Sequence, residues 1–88
     1  YLYEAKIISN KNLISQIRSA ITQLSFYAFF HQKARSKGFD RIIKKYLIFH
    51  NNPMKYDKSN KLNLYLKFLN YLDIEYIWVE DGKIVNHV

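Results

Sequence analysis

A glutamate and a lysine two residues apart form the first pair of side chains in this sequence that could do chemistry. Glu4 and Lys6 interrupt an otherwise apolar run from Tyr1 to Ile8. Side chains alternate across a β-strand, so both are expected to project from the same face. A buried charge is costly unless it is paired or bound to a metal. The pair is therefore interpreted either as a self-satisfied ion pair near a sheet edge or as a metal-binding carboxylate beside a lysine.

A second set of polar side chains lies on a long helix predicted downstream of this strand. Gln16, Gln23 and Tyr27 fall within about 40° of one another on a helical wheel, with Ala20 nearby. Their stripe borders the apolar stripe of the helix, so we expect it where the helix meets the margin of the sheet. The spacing Gln23-x-x-x-Tyr27 also fits a plain polar border of hydrogen-bonded amides.

The spacing of hydrophobic residues, together with the turn residues, predicts the helices and strands that position these side chains. An apolar stripe at the helical period runs through the first helix, at Ile14, Ile17, Ile21, Leu24 and Ala28. Asp81-Gly82 is typical of a hairpin turn. The predicted order is β-α-β-α-β-β, with elements at 1–8, 13–34, 42–49, 59–72, 74–79 and 83–88. Such alternation favours a mostly parallel sheet with right-handed crossovers, which cover one or both of its faces.

Aromatic residues leave apolar helix surface that this layout does not cover. Phe26, Phe29 and Phe30 lie off the main stripe of the first helix. The core face predicted for the second helix, which Ser59 can cap, consists of Leu62, Tyr65, Leu66, Leu69 and Leu72. Another side of that helix is also apolar, through Leu64, Phe68 and Tyr71. We expect a missing N-terminal segment or a second subunit to pack against these aromatic helix faces.

Length and composition restrict the class of protein. The 88 residues allow one small domain, and 49% hydrophobic with 24% charged residues indicates a globular chain. The sequence contains no run near the roughly 20 apolar residues of a membrane span. Absence of cysteine excludes disulfides and thiolate metal sites, and we expect a cytoplasmic protein. The chain opens at Tyr1 inside a strand-like run, so we expect a piece of a longer protein.

The order of these features resembles that of the PD-(D/E)XK nuclease superfamily. A strand with Glu-x-Lys precedes a long helix with Gln-x-x-x-Tyr, and a strand, a helix and a strand follow. The stretch from Gln16 to Tyr27 looks like the helix of the RecB-like branch, and the stretch from Leu69 to Trp78 resembles the late helix and strand. The resemblance implies an α/β fold with a restriction-endonuclease-like mixed sheet flanked by helices. Residues 1–88 would form a single domain that is incomplete at its N-terminus.

The resemblance also implies an activity, that of a metal-dependent DNA endonuclease domain in restriction, defence or repair. Glu4 matches the family's second acidic metal ligand, and the carbonyl of Ala5 would also face the metal. Lys6 matches the lysine that orients the attacking water or stabilises charge on the phosphate. Gln23 and Tyr27 match the helix pair that supports the site and contacts the substrate backbone. The implied cofactor is Mg²⁺ or Mn²⁺, and Mg²⁺ takes one or two carboxylates plus substrate oxygens.

One family residue has no counterpart in these 88 residues. It is the first acidic residue, an Asp on the strand before Glu-x-Lys, and the resemblance places it upstream of Tyr1. On that interpretation, the 88 residues alone do not cleave DNA. If the Asp is truly absent, the chain is an inert nuclease-like module that binds nucleic acid or a protein partner. A third alternative is an assembly element whose aromatic helix faces are buried against another subunit.

Basic residues provide the contacts to DNA that this function requires. Fourteen Lys and Arg against seven Asp and Glu give a net charge of +7, which suits an anionic partner. Codon usage in an AT-rich genome would also raise the lysine count, and a charge run is also typical of a solvated surface. The densest basic cluster lies at 33–45, including Lys44 and Lys45. The residues expected to contact DNA are Gln16, Arg18, Lys33, Arg35, Lys37 and Arg41.

Overall fold

A computed structural model describes residues 1–34, 43–58 and 60–86, without the side chains of residues 33, 34 and 86. Within this part of the chain, the predicted order β-α-β-α-β-β is confirmed, and a short 3₁₀ helix is added after the second strand. The elements are β1 (Leu2–Lys6), α1 (Leu13–Ala34), β2 (Lys45–Phe49), the 3₁₀ helix (Pro53–Tyr56), α2 (Leu62–Tyr71), β3 (Ile74–Glu80) and β4 (Lys83–Asn86). The fold class is α/β, as predicted.

The described strands form one mixed sheet in the order β1-β2-β3-β4. The first three strands are parallel, and β4 returns antiparallel to β3. The predicted hairpin turn is confirmed, since Asp81 and Gly82 have φ of 49° and 73°. Positive φ at both central residues is what a tight two-residue hairpin loop requires. This order makes β1 an edge strand, and the Glu-x-Lys pair therefore lies at the margin of the sheet.

Both described α-helices pack on the same face of the sheet. The chain advances from β1 to β2 to β3 in one direction, and right-handed crossovers that advance in one direction lie on one side. The strand side chains buried beneath the helices are Leu47, Phe49, Ile74 and Trp78. The described elements leave the opposite face largely open, and Tyr3, Ala5 and Ile84 are exposed there. Of the two arrangements that the sequence left open, the structure has helices on one face.

The buried face of helix α1 is rotated about the helix axis toward the polar stripe, relative to the face that the sequence predicts to be buried. Its buried residues are Leu13, Ile17, Ala20 and Leu24. Ile14 and Ile21, predicted at the centre of the apolar stripe, are only half-buried. The buried stripe is rotated by about 50° from the predicted one, at 100° per residue. A small residue such as Ala20 at the centre allows close approach to the sheet, and the rotation brings Gln16 and Gln23 nearer to β1.

Helix α2 packs through the face that the sequence predicts. The buried residues are Leu62, Leu66 and Leu69, with Tyr65 and Leu72 half-buried beside them. Its C-terminal end is stabilised by Lys45, whose Nζ donates to the carbonyl oxygen of Leu72 at 3.1 Å. A cation at this end of a helix also complements the helix dipole. The predicted cap, Ser59, lies outside the described residues.

The C-terminal half of α1 carries exposed aromatic side chains. A helix of 22 residues is about 33 Å long, whereas a strand of five residues spans about 17 Å. Phe26 and Phe30 are 58% and 53% exposed, and their ring centroids lie 4.6 Å apart. Leu64 and Tyr71 on α2 are exposed as well. Among the described residues, neither helix is long and apolar enough to cross a membrane.

Candidate active site

Glu4 and Lys6 lie side by side on the face of β1 that α1 covers. Lys6 Nζ is 3.5 Å from Glu4 Oε1, and the two side chains are 13% and 20% exposed, respectively. Tyr3 and Ala5 point to the opposite, exposed face. The alternation predicted from the sequence therefore holds, and it brings both charges beneath the helix. The contact is longer than the roughly 2.7–2.9 Å of a tight charge-assisted hydrogen bond, so the carboxylate is not closely bound by the lysine.

Two contacts fix the direction and level of α1 relative to β1. Gln16 Nε2 donates to the carbonyl oxygen of Ile7 at 3.3 Å, and Lys6 Nζ donates to Ser19 Oγ at 3.4 Å. Residue numbers rise along the helix as they fall along the strand, so the two elements are antiparallel. Four further residues of the helix and two further residues of the strand each span about 6 Å. The next residue of the polar stripe, Gln23, is therefore level with Glu4.

Gln23 carries a buried acceptor that is left without a partner. Its Oε1 is shielded from solvent and makes no hydrogen bond with any part of the chain that the structure describes. Such an unsatisfied group costs about 1–3 kcal/mol, and a donor from water or a ligand would satisfy it. The plain interpretation of a hydrogen-bonded amide border fits Gln16, whose amide donates to the carbonyl oxygen of Ile7. It does not fit Gln23.

Tyr27 lies at the rim of this polar surface, whereas Arg18 lies on the other side of α1, about 180° around the helix from Tyr27 at 100° per residue. Tyr27 follows Gln23 by one turn on the same stripe, and its side chain is 47% exposed. Arg18 is exposed immediately before Ser19. The Tyr27 side chain is therefore open to a ligand approaching the margin of the sheet, whereas Arg18 is exposed away from that margin.

The backbone of Ala5 faces the open edge of the sheet. The amide of Leu2 donates to Lys44 O, and Lys6 O accepts from the amide of His50. These two residues, and Glu4 between them, thus direct their backbone groups toward β2. In a parallel strand, the intervening residues direct theirs the other way. The carbonyl oxygen of Ala5 accordingly points away from β2, along the margin that also carries Glu4.

These groups fit part of a magnesium site. Mg²⁺ prefers oxygen ligands, usually one or two carboxylates with waters or substrate oxygens. Glu4 supplies one carboxylate, the Ala5 carbonyl supplies a second oxygen, and Gln23 Oε1 is an acceptor in need of a donor such as a metal-bound water. No cluster of three or more His, Cys, Asp or Glu suited to a metal occurs among the described residues. A further acidic ligand is needed to complete the site.

The residues of the basic cluster at 33–45 divide into three groups. Arg35, Lys37 and Arg41 lie outside the described residues, as does the side chain of Lys33. Lys44 is exposed on the open side, with its Nζ 6.0 Å from the ring centroid of Tyr1. Lys45 donates from its Nζ to the carbonyl oxygen of Leu72 at the end of α2, at 3.1 Å.

Two polar contacts of the site region were missed by the sequence reasoning. Ser19 contacts Lys6 and belongs to the same stripe as Gln16 and Gln23, at positions i, i+3 and i+7, so helical spacing contained the signal. His50 Nδ1 accepts from the amide of Ile8 at 3.1 Å, and no local pattern indicates this long-range contact. This hydrogen bond joins the chain just after β1 to the chain just after β2.

The open face of the sheet has its own polar and aromatic cluster. The rings of Tyr3 and Tyr46 stack with centroids 5.2 Å apart. Desolvation raises the pKa of Tyr46, and the charge and hydrogen bond of Glu75 raise it further. This cluster lies across the sheet from the Glu4–Lys6 pair and takes no part in the candidate site.

Comparison of the chain with protein-family models, with curated proteins and with solved structures finds no match. The resemblance to the PD-(D/E)XK superfamily therefore stays a prediction. The roles discussed below depend on the geometry of the site.

Proposed function

We propose that the chain is the C-terminal part of a metal-dependent DNA endonuclease domain of the PD-(D/E)XK type, with a role in restriction, defence or repair. One observation carries the proposal: a carboxylate and an ammonium share one face of an edge strand, beneath a polar helix stripe. The pair is partly buried, and the stripe contains the unsatisfied acceptor of Gln23. A packed core has no need of this arrangement, and phosphodiester hydrolysis requires groups of these kinds.

Each residue of the site has a proposed role that follows from its chemistry. Glu4 and the Ala5 carbonyl would hold Mg²⁺ or Mn²⁺, which lowers the pKa of bound water and offsets charge on the phosphate. The ammonium of Lys6 orients the attacking water and stabilises the negative charge that develops on the phosphate. Gln23 supports the site through its carbonyl oxygen, and the exposed Tyr27 contacts the substrate backbone.

The first acidic ligand is supplied in this proposal by a segment outside residues 1–88. The free backbone of Ala5 at the open edge of β1 supports this part of the proposal, because an added strand can pair there. A carboxylate on such a strand would lie beside Glu4. In this proposal, that same segment or a second subunit covers the aromatic helix faces.

A catalytically inert module is the second candidate. It is favoured by the contact between Glu4 and Lys6, which lets the two charges satisfy each other without a metal. The exposed phenylalanines of α1 also fit an element that assembles with a protein partner. In this case, the same surface binds nucleic acid or protein and performs no chemistry.

The decisive experiment uses the full-length product of the gene and supercoiled DNA. We expect Mg²⁺-dependent cleavage that EDTA abolishes. Lys6→Ala should lower the rate by two or more orders of magnitude, since one preorganised charge contributes about 3–4 kcal/mol. Lys55→Ala is the matched control, because Lys55 belongs to an exposed ion pair with Glu80. Cleavage that survives Lys6→Ala excludes the proposed mechanism, and DNA binding without cleavage identifies the inert module.

A further inference from the structure

We infer that Ser19 is a positioning residue for Lys6, a role that rests on the proposed function of the lysine. Lysine has a flexible four-carbon stem, and its ammonium must be held by neighbours if it is to act at a defined place. Ser19 Oγ accepts from Lys6 Nζ at 3.4 Å across the junction of α1 and β1. Ser19 belongs to neither the Glu-x-Lys nor the Gln-x-x-x-Tyr motif.

The Lys6 ammonium keeps N–H donor capacity for a ligand. A protonated lysine has three N–H donors. Ser19 Oγ accepts from Nζ at 3.4 Å, and Glu4 Oε1 lies 3.5 Å from Nζ as its ion-pair partner. Held between the carboxylate of the strand and the hydroxyl of the helix, the ammonium can donate a further N–H to a water or a phosphate oxygen at the sheet margin.

Ser19 can reach the lysine because α1 lies close to the sheet. Its side chain is short and half-buried, and its neighbour Ala20 is completely buried. A helix held further out by a larger residue would leave a serine hydroxyl beyond hydrogen-bonding distance. The rotation of α1 toward its polar stripe thus has a consequence for the candidate site, since it places this hydroxyl against the ammonium.

The first test measures the lysine itself in the 88-residue chain. We expect a slowly exchanging ¹⁵Nζ signal in the NMR spectrum, assigned by its loss in Lys6→Met. Ser19→Ala should remove or broaden the signal, and Ser19→Thr should restore it because the hydroxyl is kept. Ser25→Ala is the matched control, an exposed serine of the same helix. Alanine is the best helix former, so Ser19→Ala retains the fold. An unchanged signal in Ser19→Ala overturns the inference.

The second test measures cleavage by the full-length product. We expect Ser19→Ala to lower kcat about tenfold, as for loss of a hydrogen bond to a charged group. KM for DNA should stay constant, and Ser19→Thr should recover most of the rate. Wild-type cleavage with an unchanged kcat in Ser19→Ala overturns the inference while leaving the proposed function intact. If the wild-type protein does not cleave, the proposed function fails, and the NMR result alone decides whether Ser19 holds Lys6.

Discussion

Gln23, whose buried Oε1 has no partner among the described residues, lies one turn of α1 beyond Ser19, which contacts the Lys6 partner of Glu4. The carboxylate of Glu4 has the ammonium of Lys6 3.5 Å away, whereas the amide oxygen of Gln23 has no such partner among the described residues. A purely structural ion pair explains Glu4 and Lys6 but gives no reason for the unsatisfied amide. In the proposed function, a bound ligand would supply the donor that Gln23 lacks among the described residues.

The contribution of the Glu4–Lys6 pair to folding can be measured in a double-mutant cycle. Glu4→Gln and Lys6→Met should each lower the free energy of unfolding by about 1–2 kcal/mol, because each leaves a partly buried charge alone. The double variant should recover part of this loss. The exposed pair Lys55–Glu80, treated in the same way, should show a coupling below about 0.5 kcal/mol. Urea denaturation provides the measurement, and zero coupling between Glu4 and Lys6 would contradict the observed contact.

Two glutamines on one helix stripe should respond to substitution in opposite ways. Gln23→Met removes a buried acceptor without a partner, so we expect the free energy of unfolding to rise by about 1 kcal/mol. Gln16→Met removes the hydrogen bond to Ile7 O and should lower it by about 0.5–1 kcal/mol. Cleavage by the full-length product should fall in Gln23→Met despite its greater stability. A stabilised variant with full activity would assign Gln23 no role in the site.

The shared face of Glu4 and Lys6 was predictable from the sequence, whereas the orientation of α1 was not. Alternation along a strand follows from the backbone alone. The rotation of a helix depends on what it packs against, and here Ala20 and Leu13 pack more closely than Ile14 and Ile21. Hydrophobic patterning gives large aliphatic residues more weight than alanine. The buried stripe of α1 predicted from this pattern was therefore centred too far around the helix from Gln23.

Long-range contacts were beyond sequence reasoning for a related reason. Whether two crossovers cover one face or both depends on strand order in the sheet, and local patterns do not contain that order. Lys44 and Lys45 are neighbours in one basic cluster, yet one is exposed and the other binds the carbonyl of Leu72. Their difference arises from strand alternation together with the position of the end of α2.

The alkaline stability of the fold should depend on Tyr46. Desolvation, and then Glu75, raise the pKa of Tyr46 above its usual value of 10.0. A group whose pKa is raised on folding contributes stability that is fully present below its unfolded-state pKa and is lost as pH rises through its folded-state pKa. We expect Tyr46→Phe to flatten the fall in unfolding free energy above about pH 10. The exposed Tyr71, changed to Phe, serves as the control, and equal slopes in all three proteins would contradict the assignment.

Salt dependence of DNA binding should reveal a phosphate contact by Arg18. This arginine is exposed on α1, and each phosphate contact adds about one to the slope of log affinity against log salt. Arg18→Ala should reduce that slope by about one and weaken binding equally for different DNA sequences. Fluorescence anisotropy with a labelled duplex provides the measurement. Lys83→Ala, on the distant hairpin, should leave the slope unchanged, and an unaltered slope in Arg18→Ala would remove this residue from the DNA surface.

The exposed phenylalanines of α1 should govern association and not folding. Phe26 and Phe30 are more than half exposed, so replacing both with serine should change the free energy of unfolding by less than about 0.5 kcal/mol. The same change should abolish self-association of the 88-residue chain in sedimentation experiments. An apolar contact of this kind resists salt, unlike binding to DNA phosphates. Met54→Ser is the control, because Met54 is similarly exposed away from both aromatic helix faces. A wild-type chain that is monomeric at every concentration would show that these rings do not join two copies.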